Sequence, residues 1–450
     1  MSTSFFTHSM HEFVRRHCCE RGPLAKGRGD GHNDFVPWQP GTVMLGAVAM
    51  NDALSLSLSC DSAAAAQAYQ RAVDAYLHAW PGVGPAVDEA LAAAPDFALA
   101  HALRALHAAL YMRRAEVAAA IEAAQRCAAA ASERERSHVT VLADMLQGRA
   151  AQALDGAQTH VARWPTDALV ANMPCGAFGL FAFSGRLDHD QARLAYLRKL
   201  RPHYPADHTW LLTNLGWACI EAGELDEGFE HARRSFALRP ANGNIAHVLM
   251  HGHFERGDAA AGLAFIDAWL PSSPDDAMLF GHLHWHAGLC EIALGRVDAA
   301  LTRHLQQVLR QLDAAPPLVG MTDAIALPWR LHLLGHRELP WDQAATYAQR
   351  HFGKGGNVFA EFHLAMLAAA QGNQAGLDKV SQRLHEVADK GHPAAAIALH
   401  WTAALAAVLD GDRRAARENL QLCHAESRRL GGSHAQRTVI DRTIEWLEAA

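Results

Sequence analysis

The chain has 450 residues, half of them hydrophobic and 19% charged, so it can bury a sizeable core as two or three domains or one extended repeat array, and disorder is excluded for most of it. A formal net charge of -7 without blocks of like charge gives no basic footprint for nucleic acid, and no apolar stretch approaches the ~18 to 20 residues that cross a bilayer. Eight irregularly spaced cysteines, of which only Cys18 and Cys19 are close in sequence, fit neither a disulfide framework nor a zinc knuckle. With no leader pattern at the N-terminus, the expectation is a cytoplasmic protein with reduced thiols and no nucleic-acid or membrane partner.

Residues 1–41 read as an N-terminal arm, a short helix followed by an irregular Gly/Pro-rich loop from Arg21 to Gly41. Residues 42–450 read as one continuous array of helices. From about Asp61 the pattern turns to Ala- and Leu-rich segments with a 3.6-residue apolar period, such as "AAAAQAYQRAVDAYLHAW", and no run alternates as a strand would. Prolines 165, 205, 240 and 274 close successive helix pairs at spacings of 40, 35 and 34 residues. A Gly-led turn recurs at Gly148, Gly185, Gly223, Gly257 and Gly295, and again at Gly372 and Gly411. That is the period of a helical-repeat solenoid, close to the ~34 residues of tetratricopeptide repeats. The predicted fold is therefore an all-α, tetratricopeptide-like superhelix, with an interior pocket lined by the first helix of each pair.

The chain carries 29 histidines, so a single one says little and only patterned ones count. His247 and His251 stand four residues apart on one helical face, as do His282 and His286 in "LFGHLHWHAGL". Each member of the first pair precedes its counterpart by 35 residues, one repeat period, so four imidazoles should line one concave patch. Histidines at i and i+4 are a metal-ligand spacing, which makes His251 and His286 candidate ligands of a divalent metal, although neither pair has the Glu of an HExxH motif. Neutral imidazole near its ordinary pKa also suits proton transfer, and structural packing is a third reading. His253 and His284 point off this face.

The chain resembles the tetratricopeptide repeat protein 38 family from about Asp52 to Trp446. The resemblance rests on Ala246–His247–Val248, on His282, Trp285 and His286, and on Arg134, Glu135, His138 and Val139. It rests further on Asp323, Trp329, Arg330 and Leu331, on Phe359 with Glu361 and His363, and on "LGGSHAQR" through Gly431, Gly432, Ser433, Ala435, Gln436 and Arg437. The chain departs from the family pattern at Met250, Leu283, His284, Ala360, Glu361 and His434. The resemblance implies the fold and supplies no reaction.

Asp323, Arg330, Glu361 and His363 lie within apolar helices, where an unpaired charge costs several kcal/mol, so each should pair with another or with a ligand. Glu361 is the expected partner of Arg330. Arg134, Glu135 and His138 read as structural. The functional expectation is a pocket that binds, and transforms by His acid/base chemistry, a small anionic molecule. His247, His282, His286, His363 and Glu361 would serve as catalytic groups; Arg330, Asp323, Trp285 and Trp329 would hold the substrate. A peptide-binding scaffold and a metal-dependent hydrolase are the alternatives.

Overall fold

In a computed structural model, residues 50–355 and 357–449 are described. The arm expected at 1–41, with Cys18 and Cys19, lies outside them. The described chain is all-α apart from a two-residue antiparallel ladder pairing Met50 with Leu58 and Asn51 with Ser57. The six described cysteines form no disulfide.

Helices follow one another as antiparallel pairs: Thr209–Glu221 with Leu225–Leu238, Gly243–Glu255 with Ala259–Trp269, Val358–Ala370 with Gln374–Ala388, and Pro393–Leu409 with Arg413–Ala425. The recurrent glycines sit in the turns between them. Gly223 (φ 90°) and Gly257 (φ 67°) end their helices in the left-handed region, which an L side chain enters only with strain. Within a pair, the helices touch through small residues: a Cβ on Gly228 would lie 3.0 Å from the Gly216 carbonyl oxygen and 2.7 Å from Ile220.

The two helices of a pair differ in burial. Leu225–Leu238 is amphipathic with one buried stripe, whereas in Thr209–Glu221 all positions but the first are buried. Phe280–Ala293 and Pro317–Leu333 are similarly enclosed. A helix buried on every side must satisfy its polar side chains inside the protein, which is where His282, His286, Asp323 and Arg330 fall.

Contacts also link segments far apart in the chain. Arg239 pairs with both carboxylate oxygens of Asp74 at 2.6 Å, and the Gly243 N–H donates to the His78 carbonyl. Arg429 donates to the Gly185 carbonyl, and the Trp329 indole N–H to Thr443 Oγ1 at 3.0 Å. In an open repeat array each unit touches only its neighbours, so these bonds add a cross-bracing that the period of the sequence does not encode.

Candidate functional site

The Gly243–Glu255 helix begins at Asn242, whose side chain accepts the Ile245 N–H. It presents His247 and His251 to the next enclosed helix, Phe280–Ala293, which presents His282 and His286. Glycines hold these helices close to their neighbours: a Cβ on Gly252 would meet the Phe229 ring at 2.6 Å, and one on Gly288 would meet Leu327 at 2.9 Å. The four imidazoles come together. Ring centroids are 4.5 Å apart for His247 and His251, 4.8 Å for His247 and His282, and 4.6 Å for His251 and His286. Trp217 stacks on His247 and Trp285 on His282, fixing the planes of both rings.

Carboxylates stand behind two of the rings. Asp323 lies 2.9 Å from Nδ1 of His282, and Glu221 lies 3.1 Å from Nδ1 of His251 at an angle poorly aligned for a hydrogen bond. A carboxylate can only accept, so Nδ1 of His282 carries the proton and its Nε2 keeps a lone pair. At His251 the Glu221 carboxylate stands beside Nδ1 without a hydrogen bond, and Nε2 is the atom turned towards the centre. Both atoms face Nε2 of His247, at 2.9 Å from His251 and 3.0 Å from His282. Nε2 of His286 is buried with no hydrogen-bond partner among the described residues. Burial, followed by the neighbouring imidazoles, pushes His247 and His286 well below the ordinary histidine value, so both are neutral at pH 7. Burial raises the Asp323 carboxyl. It acts the same way on Glu221, but there the contact with His251 prevails and the value is lowered. His247, His282 and His286 each offer one ligand atom within 4.8 Å of the others, a spacing that suits a metal ion; the expected pair His251 and His286 is not the set so placed. His247 alone of the four retains appreciable accessible surface.

The other expected residues divide. Arg330 is buried 5.5 Å from the Trp285 ring, beside the centre. Its expected partner Glu361 is elsewhere, bonded to Arg383 at 2.7 Å; two positions along a helix turn Glu361 and His363 to different sides. Asp323, the other acid considered for Arg330, is taken by His282. The guanidinium instead donates to the carbonyls of Ala326 and Ala435 and to Thr438 Oγ1, leaving Nε–H and one Nη1 hydrogen uncommitted. Burial pushes it down to about 9. The Trp329 indole N–H is bound to Thr443 Oγ1. Trp285 is fully buried with its indole N–H unpartnered. His363 donates Nδ1–H to the Phe359 carbonyl and packs on Phe359 and Phe362; burial lowers it to about 3, so the ring is neutral at neutral pH. His284 and His253 lie apart, against Arg303 and Phe229 respectively. A recess of about 530 Å³ lined by Met112, Val117, Ile121 and Leu146 carries none of these residues.

Sequence reasoning missed Glu221 and Trp217. Glu221 closes the apolar helix "TWLLTNLGWACIE", the same cue that singled out Asp323. It also missed Asp167 and His160, which join His138 and Arg134 in a second buried cluster. Fold and site together define an all-α protein of paired helices with a buried histidine centre backed by carboxylates. No known protein-family model matches the chain.

Proposed function

We propose that the protein is a tetratricopeptide-like superhelix, a divergent relative of the tetratricopeptide repeat protein 38 family, that binds and transforms a small anionic molecule at the histidine centre. The observation that carries the anion is Arg330. Of the four buried arginines among the described residues, Arg134, Arg193 and Arg437 each have a carboxylate within 4.0 Å, and Arg330 has none. A buried guanidinium without a counter-ion is costly, and an anionic ligand accepting its two uncommitted N–H groups offsets that cost. The reactive end is the His247, His282 and His286 cluster next to it, where charge-bearing groups are concentrated and enclosed rather than spread along an exposed groove. That concentration favours a small molecule over a peptide.

Native mass spectrometry of purified protein, followed by titration with small carboxylates and inorganic phosphate, tests the reading. A bound anion should be lost in Arg330→Met and partly kept in Arg330→Lys, counted per folded molecule. Folded Arg330→Met protein that binds the same anions as well as wild type would overturn it.

A further inference from the structure

The protein contains two buried clusters built from the same residue types, and they are inside out with respect to each other. In one, a carboxylate is the hub. Asp167 accepts from Nη1 of Arg134 at 2.6 Å, Nδ1 of His138 at 3.0 Å and Nε2 of His160 at 3.2 Å. Its donors point inward, and Arg134 already supplies the positive charge. A metal ion there would meet a guanidinium and nitrogens that carry protons, so this cluster is an internal ion pair although its ligand atoms are closely spaced.

In the other, the hub is empty of protein charge and the carboxylates stand outside. Asp323 accepts a hydrogen bond from Nδ1–H of His282, and Glu221 stands 3.1 Å from Nδ1 of His251 without one. The Nε2 lone pair of His282 therefore points inward at Nε2 of His247 from 3.0 Å, and Nε2 of His251 faces the same atom from 2.9 Å. One proton on Nε2 of His247 can serve one of these two neighbours at a time, and the unpartnered Nε2 of His286 adds a further nitrogen in need of a partner. A cation satisfies them together. In a tetrahedral site with bonds of about 2.0–2.1 Å, ligand nitrogens lie roughly 3.3 Å apart; Nε2 of His247 and of His282 stand 3.0 Å apart, and His286 offers a nitrogen within 4.8 Å of both. A carboxylate holding the outer nitrogen of a ligating imidazole is the usual way that ring is oriented and made more basic.

We propose that His247, His282 and His286 hold a divalent transition-metal ion, with Asp323 and Glu221 as its outer carboxylates and His251 as a fourth nitrogen at hand. An all-nitrogen set selects zinc, iron, cobalt, nickel or copper over magnesium or calcium, which require oxygen ligands. Three protein ligands leave a coordination position open for a water or an anionic substrate, beside Arg330. This deepens the reading of the centre as the reactive end and rests on it.

The test is the metal content of untagged protein purified without chelator, measured by elemental analysis before and after incubation with each of these metals. Visible absorption of the cobalt form is a second readout. About one equivalent of one of these metals is expected, with cobalt bands typical of nitrogen ligands. His247→Ala and His282→Ala, with folding checked by circular dichroism, should abolish binding, and Asp323→Asn should weaken it roughly 10- to 100-fold. Wild-type protein that takes up none of these metals overturns the proposal even if the variants fail to fold, as does uptake unchanged in folded His282→Ala. The two readings fail separately. Anion binding without metal uptake leaves the Arg330 reading standing alone, and metal uptake without anion binding leaves the metal centre alone.

Discussion

Nε2 of His247 and Nε2 of His282 lie 3.0 Å apart although the residues are 35 positions apart in the chain, one repeat period. Each ring is held by a stacked tryptophan, Trp217 on His247 and Trp285 on His282, so neither can swing away without breaking an aromatic contact. If a metal ion joins these atoms, removing it leaves facing lone pairs fixed in a buried site. A strong chelator should therefore lower the melting temperature of wild-type protein by several degrees, because a ligand that binds only the folded state adds stability in proportion to its saturation. His282→Ala should show no such chelator effect. A wild-type melting temperature indifferent to chelator would count against a resident metal.

The Asp167 cluster responds differently. Asp167→Asn removes the one anion shared by Arg134, His138 and His160 and leaves the buried guanidinium with Glu135, at 3.7 Å, as its remaining carboxylate beside the Ser57 carbonyl. Burial alone would raise Asp167, but His138, His160 and Arg134 together hold it well below the ordinary carboxyl value, so it is ionised in the native protein. Breaking such a pair costs about 3–5 kcal/mol. Chemical denaturation should show a loss of that order with metal uptake unchanged; a stable Asp167→Asn protein would mean that the cluster does not hold the fold.

The helical character, the Gly turns and the meeting of His247, His251, His282 and His286 were legible because they depend on spacing along the chain. The 3.6-residue period fixes which side chains share a face, and the repeat period sets neighbouring helices in register. What the sequence concealed were contacts between helices of unrelated position. That Asp323 faces His282 and not Arg330, or that Glu361 faces Arg383, depends on the rotation of one helix against another, and both residues satisfy the same apolar pattern whichever way they turn. The role of Arg330 was concealed for a related reason, since backbone carbonyls of the segment around Ala435 can satisfy a guanidinium and carry no mark in the sequence.

The glycines divide into two kinds with different expected costs. Gly411 has φ 76° and nothing within 4 Å of where a Cβ would stand, so Gly411→Ala should cost only the left-handed backbone strain, about 1–2 kcal/mol. Gly431 has φ 78°, and a Cβ there would lie 2.7 Å from the Ala182 carbonyl oxygen and 2.6 Å from the Phe183 ring. Gly431→Ala should therefore add an overpacking cost of roughly 1–3 kcal/mol to the same strain. It should also disturb the turn that brings the His434 N–H to Glu221. Denaturation midpoints of the two variants decide this. Equal midpoints would show that the Gly431 turn yields easily.

Acid should weaken the fold before its carboxylates titrate. His304 is fully buried with neither ring nitrogen bonded among the described residues, and burial lowers it from 6.5 to about 3. His208 and His284 are lowered to about 4, again chiefly by burial. The unfolded chain protonates these rings near their ordinary value while the folded protein keeps them neutral, so between pH 6.5 and the folded values the unfolded state binds more protons. The stability they contribute is complete above pH 6.5 and falls as pH drops, by up to about 1.4 kcal/mol per pH unit for each ring once it is protonated in the unfolded chain. His304→Leu removes one such ring and fills its space with an apolar side chain of similar size. Urea midpoints measured from pH 7.5 to 5 should fall for wild type and fall less steeply for His304→Leu. The difference should correspond to at most one proton and should vanish above pH 7. Parallel curves would show that His304 is already charged in the folded protein, and with that the claim that its burial costs acid stability would fail.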